Sequence, residues 1–440
     1  MRYRPLPSSL FVDARKQLRK KLKPGAVVIL HANDTYPTSA DGTMPFVQSS
    51  DLFYLTGVDQ EETVLILFPD APDEKQREML FVRETNEHIA IWEGEKLTKQ
   101  QAADRTGIPV KSIHWLDRFD DVFRNVMCQA ENVYLNSNEH LRAAVDVETR
   151  EMRFTRRCQH EFPLHHYHRL APILHELRVI KSPDEVKVIK QAIDITGSAF
   201  QRLLHFVKPG VMEYEVEAEL IHEFIRRGGQ GHAFSPIIAS GKNACALHYN
   251  TNDSQCQNGD LLLTDFGARY GNYNADLTRT IPVGGTFTKW QRAVYNAVLK
   301  VQREAKKMLK PGVLLKEYQE KVGAFMEDEL LKLKLLTKKE VKEARDKDPE
   351  KPAYKKYFMH GTSHHLGLDV HDVGSSWRRI EPGMVFTVEP GLYIREQGIG
   401  IRLENDVLIT KKGAVDLMDA IPIEADDIEA EMASAAKKKK

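Results

Sequence analysis

The chain is poor in the features that mark several large protein classes. Its 440 residues include four cysteines, Cys128, Cys158, Cys245 and Cys256, with no CxxC spacing among them. A disulfide framework is therefore not expected, and reduced thiols in a cytoplasmic protein are. Lys plus Arg number 63 and Asp plus Glu number 63, so there is no net charge to draw the whole chain to nucleic acid or to an anionic membrane. The longest stretch free of acidic and basic residues runs from Gly228 to Gly241, too short and too polar to span a bilayer. The N-terminal MRYRPLPSSLFVDARKQLRKK lacks the apolar centre of a secretory leader. HExxH and GxSxG are absent. Gly241-Lys242 is followed by Asn243, and Pro236 stands where a phosphate loop needs its first glycine. Hydrophobic residues at 42% nonetheless supply a sizeable core.

The first part of the chain reads as an α/β unit. GAVVILHAN, ETVLILFPD, REMLFVRE and ENVYLNSN are short, β-branched apolar runs with the length of strands, and LFVDARKQLRKKL has a helical pattern. Composition shifts at EFPLHHYHRLAP. The strongest helix start follows: Ser182 precedes Pro183, Asp184 and Glu185, a capping box with proline in the first turn. Val186, Ile189, Ile193, Phe200 and Leu204 then mark one apolar face. These signals place one domain at 1–172 and a second at 173–432. The lysine-rich 433–440 is expected to be a disordered basic tail. Lys208-Pro209-Gly210-Val211 and Lys310-Pro311-Gly312-Val313 each stand between two helical patterns, which suggests an internally duplicated second domain, although Lys-Pro-Gly is also a common helix stop. KKEVKEARDKDPEKPAYKKY reads as a solvated helix and loop.

Three segments carry chemistry. In LLLTDFGARYGNYNADLTRTIPV, two strand-like runs flank a tight turn. A Tyr270-Gly271 loop puts Asp265 directly opposite Asp276, and a Gly271-Asn272 loop makes them diagonal neighbours on one face. Either places two carboxylates within about 5–8 Å, which a divalent cation would neutralise. Taken alone, such a pair is more often two exposed aspartates near a turn. In FMHGTSHHLGLDVHDVG, His360, His364, His365 and His371 cluster with glycines. A lone histidine is usually structural, but four together point to a site. In GMVFTVEPGLYIREQGIGIRLENDVLIT, Glu389 and Glu404 are placed almost symmetrically about a connection between two strands. Arg402 shares a strand face with Glu404 and can orient it.

These segments resemble the pita-bread metallopeptidases, the family of aminopeptidase P, prolidase, methionine aminopeptidase and creatinase. The likeness is strongest to aminopeptidase P. It extends over most of the chain, with QSSDLFYLTGVDQEETVLIL similar to that family's N-terminal domain. It implies an α/β (α+β) architecture: an N-terminal creatinase/aminopeptidase P-like domain, then a pita-bread catalytic domain with internal pseudo-duplication. The resemblance further implies that Asp265 ligates one metal and that Asp276 and Glu404 bridge two. His364 and Glu389 would hold the second metal. His248 and His371 would contact substrate and the reacting centre, Glu389 would also move a proton, and His360 and Arg402 would line or support the pocket. His365 departs from the family, where an aromatic or apolar residue is commoner at that position, and the SSWRRIE loop is short.

The implied shell of four carboxylates and one imidazole suits two divalent cations, manganese foremost, with zinc or cobalt as alternatives. Four carboxylates offset their charge, and a bridging water would lose a proton to give the hydroxide nucleophile of a two-metal peptidase. The expected reaction is hydrolysis of the bond between an N-terminal residue and a following proline. The expected partners are peptides with proline in second position and a second copy of the chain, as homo-dimer or homo-tetramer, with neither nucleic acid nor membrane. The alternatives are a prolidase confined to dipeptides and a non-catalytic pita-bread binding module.

Overall fold

A computed structural model describes residues 3–143 and 146–438, with side chains placed to Ser434. Two compact units emerge, one formed by Pro5–Arg178 and the other by the chain from Val179 onward together with Tyr3 and Arg4, which the sequence had put in the first domain. The division falls six residues later than the sequence expectation. The reason lies in the helix Ala171–Arg178: Leu170 and Leu174 are buried in the core of the first unit, so this helix belongs there.

The first unit is built on a six-stranded sheet. Its order is Ile113–Trp115, Glu78–Val82, Val64–Leu67, Ala26–His31, Asn132–Leu135, His166–Arg169. All four apolar runs singled out in the sequence form its central strands. Alternation sorts their side chains into two layers. Val28, Leu30, Leu65, Leu67, Leu80 and Val82 enter one core, and Val27, Ile29, Val64, Ile66, Met79 and Phe81 enter the other. A sheet buried on both faces explains why these runs are apolar throughout instead of alternating with polar residues.

In the second unit the helix Pro183–Phe206 starts as its sequence demands. Ser182 Oγ accepts from Glu185 N, and Ser182 N donates in return to Glu185 Oε2. Its interior face carries Ile189, Ile193, Phe200 and Leu204, while Val186 is only partly buried. The two Lys-Pro-Gly-Val segments make the same contacts in parallel. Gly210 N donates to Cys256 O and Cys256 N to Val211 O; Gly312 N donates to Ile380 O and Ile380 N to Val313 O. Both glycines hold positive φ, at 94° and 88°. Identical pairing at two distant places is the mark of a duplicated unit, and the bland reading of two unrelated helix stops does not account for it.

The charged segment contains the helix Lys338–Lys347, none of whose residues is buried. The C-terminal expectation needs correction: the helix Ala425–Lys438 continues into the supposed tail, because EAEMASAAKK is rich in strong helix formers. The last two lysines lie outside the described residues. Among the described residues, no helix is long and apolar enough to cross a membrane.

Candidate active site

Two interrupted hairpins and one histidine-bearing loop build the site, all within the second unit. In the first hairpin, Leu261–Phe266 pairs antiparallel with Leu277–Pro282 and sets Asp265 opposite Thr278. Tyr270 pairs with Tyr273, so Gly271 and Asn272 form the two-residue loop, both at positive φ (57° and 62°) as a tight primed turn requires. Of the two registers the sequence left open, this one makes Asp265 and Asp276 diagonal neighbours on one face. The backbones approach closely at Gly267, where a Cβ would lie 1.7 Å from Ala275 O. No side chain fits there.

The second hairpin is a ladder with a gap. Val385–Val388 pairs with Asn405–Thr410, and Gly391–Ile394 pairs with Ile399–Arg402, in one continuous register. Carried across the gap, that register sets Glu389 opposite Glu404. At the gap the backbone turns to other partners: Glu389 N donates to Thr362 O, and Glu404 N donates to Thr278 O. The second hairpin is thereby bonded to the histidine loop on one side and to the first hairpin on the other.

The loop supplies His364. Its Nε2 lies 3.4 Å from Asp276 Oδ2 and 3.5 Å from Glu389 Oε1, and its Nδ1 is 2.9 Å from His365 O. A proton on Nδ1, donated to that carbonyl, leaves the Nε2 lone pair facing the carboxylates. Ligand atoms of Asp276, His364 and Glu404 all lie within 4.8 Å of one another. His365 turns away. It pairs with Phe386 in an isolated bridge, packs its ring 4.3 Å from the Phe386 ring, and is so close to Gly374 that a Cβ there would meet it at 2.1 Å. Burial drives its pKa down to about 3, so it is neutral.

The remaining expected residues fall into two groups. Arg402 Nη2 donates to Asp265 Oδ2 at 2.6 Å, Nη1 to Tyr393 Oη at 2.8 Å and Nε to Thr278 Oγ1 at 3.2 Å. His360 Nε2 meets Tyr393 Oη at 2.8 Å and Nδ1 meets Gly361 O at 2.7 Å. Burial, aided by Arg402, drives the ring down to about 3. His371 is exposed, with its ring edge-on to His364 at 4.5 Å. His248 is exposed on the segment after Gly241–Cys245, close enough to His360 that its charge disfavours protonation there.

Sequence reasoning missed several supports. Tyr393 links His360 to Arg402, and Thr278 donates to Glu404 Oε2. Asp406 accepts from Asp276 N at 3.1 Å. Gln319 accepts from Thr362 N and Tyr318 meets Ser363, so the helix Leu315–Lys332 braces the histidine loop. Only Asp406 carried a signal, two residues from Glu404 on the same strand face.

The electrostatics call for a cation. Burial first, and mutual repulsion second, raise Asp276 and Glu404 well above the usual carboxylate range, and burial pushes Glu389 up to about 7. Asp265 Oδ1 and Glu404 Oε1 are buried and meet no donor. Such atoms are costly to leave unsatisfied, and one arginine cannot serve four carboxylates. Hard oxygen donors with one imidazole fit divalent metal ions.

A duplicated α/β unit with this acidic, imidazole-bearing pocket at its centre defines a metal-dependent hydrolase. The chain belongs to metallopeptidase family M24, which residues 187–411 match, and residues 11–134 match the aminopeptidase P N-terminal domain. It is 35% identical to the Xaa-Pro aminopeptidase of Escherichia coli K12, over 97% of this chain and 98% of that one. The fold matches the aminopeptidase PepP of Pseudomonas aeruginosa with a TM-score of 0.89 at 32% identity, covering 98% and 99% of the two chains. It also matches a variant of E. coli aminopeptidase P in complex with substrate, with a TM-score of 0.86 at 33% identity, covering 99% and 100%. The protein is thus a metal-dependent aminopeptidase with an N-terminal aminopeptidase P domain and a pita-bread catalytic domain.

Proposed function

We propose that the protein removes the first residue from peptides whose second residue is proline, using two divalent cations, preferably manganese, held by Asp265, Asp276, His364, Glu389 and Glu404. The observation that carries this reading is the convergence of Asp276, His364 and Glu404 within 4.8 Å, between two hairpins that also bring up Asp265 and Glu389. When bound, the cations supply Lewis acidity for the scissile carbonyl and lower the pKa of an attacking water.

The chain's own residues do the rest. Asp276 and Glu404, brought together from the two hairpins, would hold the cations from the middle of the cluster. His364 and Glu389, whose ligand atoms lie 3.5 Å apart, would hold a cation together with them. Arg402 holds Asp265 from behind, so this carboxylate presents one oxygen inward. Glu389 is positioned to receive the water's proton and pass it to the leaving nitrogen. His371 and His248 donate to the developing oxyanion or assist that transfer. His360, kept neutral and locked to Tyr393, is an uncharged wall of the pocket.

Preference for proline has a physical basis. The bond preceding proline is a tertiary amide with no N–H, so a peptidase that reads that N–H processes it poorly, whereas a compact pocket for the ring does not need it. A cytoplasmic location and a homo-dimeric or homo-tetrameric assembly belong to the same proposal. Four free thiols support the first, and the family resemblance supports the second.

Products formed from Ala-Pro, Ala-Pro-Ala and Ala-Ala-Ala in manganese test the reading. Release of Ala from Ala-Pro-Ala, with Ala-Ala-Ala left intact, is expected. Cleavage of Ala-Pro alone would show a prolidase, and cleavage of none would overturn the preference for proline in second position.

A further inference from the structure

We infer that Lys181 is a positioning residue for the reaction: its ion pair with Asp372 fixes the place of the neighbouring His371 imidazole in the site. The inference rests on the reading of His371 given above.

Lys181 Nζ lies 2.8 Å from Asp372 Oδ2, with each side chain only 1% exposed. Both partners are anchored independently. Lys181 N donates to Gly383 O at 2.8 Å, immediately before the capped helix Pro183–Phe206. Asp372 N donates to His365 O at 2.9 Å, so the residue after His371 is tied to the residue after His364. The packing leaves no slack: a Cβ on Gly367 would lie 2.2 Å from Asp372 Oδ2 and 2.9 Å from Lys181 Cε. The same helix start also holds the first hairpin, because Tyr273 Oη donates to Glu185 Oε1 at 2.9 Å. One short segment, 181–185, therefore registers the loop bearing His371 against the hairpin bearing Asp276.

A buried ion pair is a poor means of stabilising a fold, since an apolar pair of similar size does as well or better. What charge and hydrogen-bond geometry add is a fixed position. The His371 ring sits 4.5 Å from the His364 ring, and a displacement of about 1 Å at such a contact can cost about 100-fold in rate.

The test uses the full-length enzyme with manganese and Ala-Pro-Ala. The double variant Lys181→Met/Asp372→Leu strands no charge, and Asp372→Asn keeps the hydrogen bond from Lys181. Each is measured in the wild-type and in the His371→Ala background. The double variant is expected to lose about 100-fold in kcat with KM within about threefold, and Asp372→Asn to retain most of the rate. In the His371→Ala background neither change should cost more than about a further threefold, because the group they position is gone. A folded double variant within about twofold of wild-type kcat would overturn the inference, as would a loss that adds fully to that of His371→Ala. Should that double variant not be recovered folded, the more conservative Lys181→Met/Asp372→Asn, which strands no charge and loses the bond from Lys181, decides: a loss in kcat that vanishes in the His371→Ala background is expected, and either no loss or a loss that persists there overturns the inference. Wild-type turnover in His371→Ala would instead overturn the underlying reading of the site, and this inference with it.

Discussion

Glu389 and Glu404 occupy one rung of a two-stranded ladder, at the place where the ladder is broken. Two carboxylates facing each other would repel in an ordinary hairpin. Here the rung opens, the backbone bonds pass to Thr362 and Thr278, and the side chains are left to meet Asp276 and His364. The break in the secondary structure and the gathering of charge are the same feature.

Replacing one bridge should separate chemistry from folding. Asp276→Asn removes a carboxylate charge while keeping the side-chain shape, and its backbone bond to Asp406 is untouched. Activity is expected to fall by about 100-fold or more with a cooperative thermal transition retained. Near-native turnover with full metal content would contradict the bridging role.

The adjacent histidines make opposite predictions. His364→Ala should lose one bound metal and nearly all turnover. His365→Phe, whose side chain lies against Phe386, should keep both metals, shifting KM or stability more than kcat. Its stability should also respond to pH. The folded pKa of His365 is depressed to about 3, so wild type is penalised as pH falls below the unfolded value of 6.5. The Phe variant escapes that penalty, and the stability difference should move in its favour by up to about 1.4 kcal/mol per pH unit between pH 6 and pH 4. Denaturant titrations across that window check the sign.

Gly267→Ala probes the close approach in the first hairpin. The added methyl would meet Ala275 O at 1.7 Å, against backbone that cannot swing aside. A loss of about 3 kcal/mol or more, seen as poor soluble yield or a lowered Tm, is expected. A variant as stable as wild type would show that the strands can part there.

Chelation should abolish activity. Manganese should restore it better than magnesium, which prefers octahedral sites that keep several of its waters. Activity after dialysis and metal add-back gives the answer, and full activity in the metal-free protein would refute a metal-dependent step.

Much of this was legible in the sequence because it depends on local rules. The Ser182 capping box, the apolar runs of the first sheet and the near-symmetry of Glu389 and Glu404 are short-range patterns. The Asp265–Asp276 register was narrowed to two choices, and the positive φ of Gly271 and Asn272 selected one. The strand His166–Arg169 was hidden because HHYHR has no apolar alternation and lies at the sheet edge. The Lys181–Asp372 pair was hidden for a different reason: 191 residues separate its partners, and neither belongs to a motif that announces the other.

The proposed chemistry requires five side chains to hold two cations at one place. Anomalous diffraction at the manganese edge, from crystals grown with that metal, tests it most directly. Two peaks about 3.5–4 Å apart are expected among Asp265, Asp276, His364, Glu389 and Glu404, with Asp276 and Glu404 touching both. A single peak, or peaks bound elsewhere with these carboxylates left without metal, would rule out a two-cation site here.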